Sequence, residues 1–513
     1  KFAELTWTED SRSVYYSRYP ALPDGTGDGS KQREVYRHVL GTDASADPLI
    51  FKITDHPTRN PYTQVSDDGR YLVMFIYDGV ESTGLYYLKL APDGAPVGEV
   101  VRLIDTFDAD YQFVAEIDDV FYVRTSAAAP NGRLVAIDLS APQRERWRDV
   151  IPEGEFALRD VNILSGKIIA QYIQDAHSVV RVSSLDGKQL YEVKLPGFGQ
   201  AAGFGGDVDD TETFFAYTDF LTPTSISRLD VQSGSVSLFR APTLAFDPKA
   251  YVTEQMFYTS KDGTRVPMFI THRKGIALDG NNPTMLYGYG GFSVSTLPAY
   301  RQDVPAWLER GGVWVTVSMR GGAEYGEAWH QAGMLEKKQN VFDDFIAAAE
   351  HLIEEKYTSP SRLGIMRGSN GGLLVGAVMQ QRPELFAVAL PAVGVMDMLR
   401  YDKFTGGRLW TTEYGSASNP SQFPFLIKYS PVHNAKPGTC YPATLITTPV
   451  HDDRVVPSHS FKFAAVMQAA QACAKPVLIR VEVQGSHGYR PTDKLIAERA
   501  DEWACAAANM GMK

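Results

Sequence analysis

The 513-residue sequence has few cysteines, no long apolar run and no excess of positive charge. None of its three cysteines belongs to a C-x-x-C pair, which argues against a zinc or thiol-redox site. No uninterrupted apolar run approaches the roughly 18–20 residues that span a bilayer. The formal net charge is −11, whereas a nucleic-acid-binding protein needs a basic face. We therefore expect a protein that binds neither nucleic acid nor a membrane.

The cysteines are Cys440, Cys473 and Cys505, and we interpret them as small buried hydrophobic residues. A single disulfide would fit an exported protein and would leave one thiol over. The chain begins with Lys1 and continues directly into a strand-like stretch, which indicates a start inside a domain. The sequence leaves the compartment open between cytoplasmic and periplasmic.

Residues 1–245 are rich in short β segments that are separated by turn signals, a pattern typical of an all-β domain. The clearest predicted strands are 14–19, 71–77, 84–90, 120–125, 167–172 and 213–217.

A loose repeat in this half places an acidic turn before an aromatic-rich strand, at 7–16, 65–74 and 207–217. Propeller blades hold four such strands in about 40–50 residues, so this half has room for about five blades. The repeat favours a β-propeller, and the alternative is a β-sandwich.

Residues 246–513 have a different pattern, in which buried strands alternate with helices. This alternation predicts βαβ units around a doubly wound, mostly parallel sheet. The predicted strands are 283–289, 313–318, 362–366, 441–448 and 476–483, and the predicted helices are 340–353, 371–381, 458–472 and 495–508. In such sheets, sites form where loops leave the carboxyl ends of the strands.

The strongest chemical signal is I-M-R-G-S-N-G-G-L-L at 365–374, where a glycine-flanked serine stands between a strand and a helix. This layout is typical of the nucleophile elbow of an α/β-hydrolase. It makes Ser369 the candidate nucleophile and puts the Asn370 N–H at a helix N-terminus, where it can stabilise an oxyanion. The usual motif is G-x-S-x-G, and Arg367 takes the place of its first glycine.

A serine nucleophile needs a base and an orienting carboxylate, which this fold supplies later in the chain in the order Asp, then His. The loop Q-G-S-H-G-Y-R at 484–490 offers His487 between two glycines. His451 and His459 are competitors, but both lie in or just after the aspartate loop and do not give the expected order. The pattern does not separate Asp452 from Asp453 as the carboxylate.

Together these motifs resemble the prolyl oligopeptidase family of serine peptidases. The resembling stretches run in family order through the second half of the chain: L-Y-G-Y-G-G-F (286–292), R-G-G-A-E-Y-G-E-A-W-H (320–330), G-S-N-G-G-L-L (368–374), G-V-M-D-M-L (394–399), W-T-T-E-Y-G (410–415), Y-S-P-V-H-N (429–434) and H-D-D-R-V-V-P (451–457). The first half resembles the family's propeller mainly in position and repeat style.

The resemblance implies a role for individual residues. It makes Ser369 the nucleophile, His487 the base and Asp452 the carboxylate. It implies an oxyanion hole formed by the Tyr289 hydroxyl and the Asn370 N–H. It further implies that Arg454 binds a substrate carbonyl and that Trp410 stacks on the proline ring. The remaining implied pocket residues are Phe292, Val395, Tyr414 and Val455.

Two departures from the family matter. Arg367 replaces an elbow glycine, and the alternatives are that it is accommodated or that it displaces the nucleophile and reduces activity. Nothing in the sequence matches the family's N-terminal segment, so we expect a propeller that is incomplete at its N-terminus, by roughly two blades of a seven-bladed ring.

The resemblance implies a serine endopeptidase that cuts short peptides after proline. We expect a monomer that needs neither a cofactor nor a metal. It also implies that the propeller covers the active site. One alternative is a related oligopeptidase or aminopeptidase with another specificity. The other is a weakly active fragment or a binding scaffold.

Overall fold

The computed structural model describes residues 4–24, 27, 31–56, 59–78 and 82–512. Its first half contains five four-stranded antiparallel sheets, in each of which every strand pairs with its neighbour in sequence. Strands β1–β4 are Glu4–Trp7, Ser13–Arg18, Glu34–Val39 and Leu49–Lys52. Strands β5–β8 are Arg59–Val65, Tyr71–Asp78, Ser82–Leu90 and Pro96–Ile104. Strands β9–β12 are Tyr111–Ile117, Val120–Thr125, Arg133–Asp138 and Arg148–Ile151. Strands β13–β16 are Ala157–Leu164, Lys167–Gln174, His177–Ser184 and Gln189–Glu192. Strands β17–β20 are Gln200–Gly203, Glu212–Thr218, Ser225–Asp230 and Val236–Arg240.

Each sheet packs its buried face on the next, which is the arrangement of propeller blades. One hydrophobic cluster joins Tyr15 of the first sheet to Leu72 of the second. Three further clusters join the second sheet to the third, the third to the fourth and the fourth to the fifth. Neither face of an inner blade could remain buried without its neighbour, so the blades depend on one another.

The acidic repeat in the sequence corresponds to the hairpin between the first and second strands of a blade. In the first blade the Thr8 hydroxyl donates to the Asp10 carboxylate (2.7 Å), and in the second Ser66 donates to Asp68 in the same way (2.7 Å). These carboxylates also accept backbone N–H groups two residues further on, which fixes the turn.

The second half forms one eight-stranded sheet in the order β21-β22-β24-β23-β25-β26-β27-β28. The strands are Tyr251–Thr259, Arg265–Arg273, Thr284–Gly288, Val313–Val317, Leu363–Gly368, Val388–Ala392, Ala443–Pro449 and Val477–Glu482, numbered β21–β28 along the chain. β21, β22 and β24 pair antiparallel, and the other neighbouring pairs are parallel.

Helices cover both faces of this sheet. Helices α1–α9 are Val304–Glu309, Glu327–Gln331, Gln339–Glu354, Asn370–Gln381, Thr411–Tyr414, Phe423–Tyr429, Pro431–Asn434, Ser458–Ala470 and Thr492–Met510. Buried side chains of α3, α4 and α8 form a core on one face. Those of α1 and α9 form a core on the other face, as in a doubly wound fold. In the described ranges no helix has both the length and the apolar composition to cross a bilayer.

The cysteines differ from our interpretation of them as small buried residues. Cys440 and Cys473 form a disulfide with a Cα–Cα distance of 5.2 Å, and Cys505 is a free thiol. The bond joins the segment before β27 to the segment after α8. Because three cysteines allow three pairings, spacing alone could not have identified the pair.

We expect loss of this disulfide to lower the free energy of unfolding by about 2–4 kcal/mol, because the closed loop restricts the unfolded chain. Denaturant unfolding tests this with two variants that lack the disulfide, Cys440→Ala and the double variant Cys440→Ala/Cys473→Ala. Cys505→Ala is the matched control, for which we expect a change within about 1 kcal/mol. Equal effects at Cys440 and Cys505 would contradict the prediction.

Candidate active site

Ser369 lies at the sharp turn between strand β25 and helix α4. Its φ of 62° and ψ of −126° are values that a non-glycine residue adopts only where the surrounding structure enforces them. The Ser369 N–H donates to the Ala392 carbonyl (3.0 Å), and the Ser369 carbonyl accepts from the Gly372 N–H (2.8 Å). The turn is therefore held on both sides, and it presents the side chain at the carboxyl edge of the sheet.

Gly372 allows α4 to start directly against the loop that follows β26. A Cβ at this position would lie 2.6 Å from the Ala392 carbonyl oxygen and 2.6 Å from the Gly394 Cα. Any side chain here would push the helix away from the sheet and would move the serine with it.

Arg367 fits into the elbow because of a second glycine. Its stem lies over Gly371, where a Cβ would come within 1.8 Å of the Arg367 Cγ. The guanidinium then lies 4.5 Å from the ring centre of Tyr287 and 4.8 Å from that of Tyr289. The arginine is therefore accommodated in the elbow, and Ser369 keeps its backbone hydrogen bonds to Ala392 and Gly372.

A continuous series of hydrogen bonds joins Ser369, His487 and Asp452. The Ser369 Oγ is 3.1 Å from His487 Nε2, and His487 Nδ1 is 2.7 Å from Asp452 Oδ2. The second oxygen of Asp452 accepts the N–H groups of Arg454 (3.0 Å) and Val455 (2.9 Å). The carboxylate is thus buried, fixed in orientation and able to hold the imidazole in one tautomer.

The competing residues lie apart from this series. Asp453 and His451 are exposed on the loop. His459 is buried in α8, where its Nδ1 accepts the Asp397 N–H (3.0 Å) and burial lowers the pKa of the imidazole to about 4. Its environment is that of a neutral histidine in the core.

Two groups beside Ser369 can donate to an oxyanion. The Asn370 N–H opens α4, and none of the described residues accepts a hydrogen bond from it. Burial raises the pKa of the Tyr289 hydroxyl, while the Ser369 hydroxyl beside it acts in the opposite direction. The Asn370 side chain connects the backbone of Tyr289 to Tyr414. Its amide donates to the Tyr289 carbonyl (2.7 Å), and its oxygen accepts from the Tyr414 hydroxyl (2.8 Å).

A cavity of about 250 Å³ opens beside the serine. Most of its lining is aromatic or apolar, and the polar residues are Ser369, Asn370 and Arg454. The full lining is Tyr289, Phe292, Ser369, Asn370, Val395, Trp410, Tyr414 and Arg454. The Phe292 and Tyr414 rings meet edge to face, and Trp410 stacks against Tyr401.

Val455 is the one predicted pocket residue that lies elsewhere. Among the described residues it is absent from the cavity wall, and its side chain is buried in the core beneath the loop. Its backbone N–H donates to Asp452, so its place in the structure links it to the orienting loop, and its role in the pocket stays a prediction.

Comparisons with known proteins agree with this architecture. The family model for the N-terminal β-propeller domain of prolyl oligopeptidase matches residues 1–242, and the prolyl oligopeptidase family model matches residues 298–513. The prolyl endopeptidase of Elizabethkingia miricola is 43% identical over all of this chain and 72% of its own length.

The chain belongs to the prolyl oligopeptidase family. It combines the family's β-propeller with its α/β-hydrolase domain. The propeller model matches from the first residue onward, so the expected incompleteness at the N-terminus finds no support there.

Other members of the family give the same result. The dual function macrocyclase-peptidase of Galerina marginata is 36% identical over all of this chain and 72% of its own length. A structure from a study of two prolyl endopeptidases matches with a TM-score of 0.86 and 40% identity, over 100% of this chain and 75% of that one. Prolyl oligopeptidase B of Galerina marginata, bound to a hydrolysis and macrocyclisation substrate, matches with a TM-score of 0.88 and 34% identity, over 100% and 73%.

A buried ionic cluster supports the Tyr289 loop in this prolyl oligopeptidase family member, and our sequence reasoning missed it. Lys338 donates to the Gly290 carbonyl (2.8 Å) and lies 3.3 Å from Glu413, whose other oxygen is 2.8 Å from His330. Glu413 and His330 lie inside the quoted motifs, but nothing in their spacing indicated that they meet. In the described part of the chain no group of three or more His, Cys, Asp or Glu has the arrangement of a metal site.

We expect Gly371→Ala to lower the free energy of unfolding by about 1–3 kcal/mol, because the new methyl group overlaps the Arg367 stem. Denaturant unfolding measures the effect. The double variant Gly371→Ala/Arg367→Gly should recover most of the loss. Gly406→Ala is the control, since a Cβ there meets only Trp410 at 4.0 Å. A double variant as unstable as Gly371→Ala would contradict this account.

The ion pairs of His330 make the stability of the protein depend on pH. The carboxylates of Glu327 and Glu413 outweigh the burial of His330 and raise its pKa from 6.5 to about 9. A pKa raised by folding gives stability that is complete below pH 6.5 and is lost as the pH rises towards 9. We expect a loss of about 1–3 kcal/mol across this window in urea unfolding. His330→Gln should flatten the dependence; an unchanged slope would contradict the assignment.

Proposed function

We propose that this chain hydrolyses short peptides on the carboxyl side of proline, with Ser369 as the nucleophile, His487 as the base and Asp452 as the orienting carboxylate. Its family and its prolyl endopeptidase relatives make it a proline-specific serine endopeptidase. The observation that carries the residue assignment is the hydrogen-bonded series from the Ser369 Oγ through His487 to Asp452.

The proposed reaction has two acyl-transfer steps. His487 takes the Ser369 hydroxyl proton as the oxygen bonds to the proline carbonyl carbon. When the C–N bond breaks, the same imidazole gives its proton to the leaving amine, so an acyl-enzyme remains. Water then attacks the ester by the same route, and the peptide is released with proline at its new carboxyl terminus.

The Asn370 N–H and the Tyr289 hydroxyl are the proposed donors to the oxyanion of both tetrahedral intermediates. The free N–H at the start of α4 supports the first assignment, and the position of Tyr289 beside Ser369 supports the second. Because its pKa is raised, Tyr289 stays protonated and keeps a hydrogen to donate.

The cavity beside Ser369 is the proposed site for proline. A proline side chain is an apolar ring and lacks an N–H, which suits walls formed by Trp410, Phe292 and Val395. In these walls no carboxylate is present to bind a lysine or arginine side chain. Arg454, which also lines the cavity, is the proposed donor to a carbonyl on the acyl side of the bond.

We further propose a domain boundary near residue 245. The last four-stranded antiparallel sheet ends with β20 (Val236–Arg240), and the eight-stranded sheet begins with β21 (Tyr251–Thr259), which supports a propeller of about five blades over 1–245 and a catalytic domain over 246–513. Gln200 of β17 donates to the Pro298 carbonyl (2.9 Å), so the two parts are in contact.

The proposal is tested with chromogenic dipeptides that end in proline, alanine or arginine. We expect turnover of the Gly-Pro substrate at a kcat/KM at least about 100-fold above the others, since a lost apolar fit costs roughly 1–3 kcal/mol for each contact. Ser369→Ala should lower kcat by about 10⁴-fold or more.

Labelling of the native protein with a fluorophosphonate checks separately that Ser369 is activated, and Ser421→Ala is the matched control that should keep its label. Turnover after proline that survives Ser369→Ala would refute the proposed mechanism, and equal turnover of the three dipeptides would refute the proposed role of the cavity.

A further inference from the structure

A second cavity, of about 470 Å³, meets the first at Ser369 and extends past His487. We call it the basic cavity, because its lining includes five arginines: Arg301, Arg367, Arg454, Arg490 and Arg499. His487 lines the basic cavity and is absent from the wall of the aromatic one. Since the proposed general acid must reach the leaving amine, the peptide beyond the cleaved bond should enter the basic cavity.

Three of these arginines already have a carboxylate within hydrogen-bonding distance. The pairs are Arg301–Asp303, Arg490–Glu498 and Arg499–Glu502. Their charges are largely neutralised inside the protein. The two that remain are Arg454, which is exposed at the junction of the cavities, and Arg367.

Arg367 has no anionic partner among the described residues. Its Nε is shielded from solvent without a hydrogen-bond acceptor, and its charge meets only the rings of Tyr287 and Tyr289. Burial, with a smaller effect of Arg499, lowers its pKa to about 10, which leaves it charged at neutral pH. A half-buried cation without an anion is unfavourable, and an incoming carboxylate would relieve this state.

We propose that Arg367 is a specificity residue that binds a carboxylate in the first residues of the leaving peptide. The inference rests on the proposed function, because it assumes that peptide bonds are cut at Ser369. The carboxylate can be the terminal one of a short leaving peptide or the side chain of an aspartate or glutamate after proline. Either source would form the same charge-assisted hydrogen bonds with the guanidinium.

A purely structural role makes a different prediction. Arg367 could act only as a spacer that holds the Tyr289 ring. Its removal would then slow the cleavage of all substrates by the same factor, whatever charge they carry. The discriminating quantity is therefore the ratio of kcat/KM between charged and neutral partners.

Two matched pairs of peptides measure this ratio by chromatography of the released product. The first pair is benzyloxycarbonyl-Gly-Pro-Ala with a free carboxylate and with a carboxamide. The second is benzyloxycarbonyl-Gly-Pro-Asp-amide and its Asn counterpart. For the native enzyme we expect a ratio of about 10 or more in at least one pair, and the pair that shows it identifies the source.

Variants of the same chain locate the effect. Arg367→Gln should bring the ratio close to one, and Arg367→Lys should keep part of it, because the charge remains while the planar fork is lost. Arg382→Gln is the matched control: this arginine pairs with Glu350 and Glu384 at the end of α4 and does not line the basic cavity. It should leave the ratio unchanged.

The outcomes separate this inference from the proposed function. A native enzyme that does not release nitroaniline from benzyloxycarbonyl-Gly-Pro-nitroanilide refutes the proposed function itself. A native enzyme that cleaves this neutral substrate but gives ratios near one in both pairs overturns the carboxylate site alone. An Arg367→Gln enzyme that is slower on all peptides with its ratio intact also overturns it, in favour of the spacer. If Arg367→Gln does not fold, the kcat/KM ratios of the native enzyme for the two peptide pairs still test the carboxylate site.

Discussion

The close approach between the start of α4 and the loop after β26 is the constraint on which the site depends. The backbones come so near that Gly372 has no room for a Cβ beside Ala392 and Gly394. This contact fixes the unusual backbone of Ser369 and the direction of its side chain. It also leaves the first N–H of the helix free beside Ser369. One packing constraint thus sets the positions of the proposed nucleophile and of one proposed oxyanion donor.

The parallel part of the sheet brings the other groups to the same edge. Ser369 follows β25 directly, Tyr289 follows β23, and Asp452 and His487 lie on the loops after β27 and β28. Because parallel strands end at one edge, residues more than a hundred positions apart in sequence can form one hydrogen-bonded series. The Asn370 side chain then connects this edge to the aromatic cavity through the Tyr289 carbonyl and the Tyr414 hydroxyl.

The charged side chains near the site are of two kinds, those paired with an opposite charge inside the protein and one that is not. Lys338 and His330 share the Glu413 carboxylate, and His330 also faces the Glu327 carboxylate, so two cations meet two carboxylates beside the Tyr289 loop. Arg367 is half-buried, and none of the described residues pairs with its charge or accepts a hydrogen bond from its buried Nε. The contrast distinguishes a cluster that supports the loop from a cation that is available to a ligand.

The sequence by itself indicated the class of fold and a serine, aspartate and histidine in that order, but its pattern left Asp452 and Asp453 as alternatives. The elbow around Ser369, the glycine-flanked His487 and the switch from short β segments to alternating strands and helices are local patterns, and local sequence encodes them. Only the tertiary structure decided which side chains meet. It paired Cys440 with Cys473, packed the Val455 side chain into the core, buried Lys338 against Glu413 and laid Arg367 over Gly371. These contacts join residues far apart in sequence or depend on the direction of one side chain, and neither spacing nor composition encodes that information.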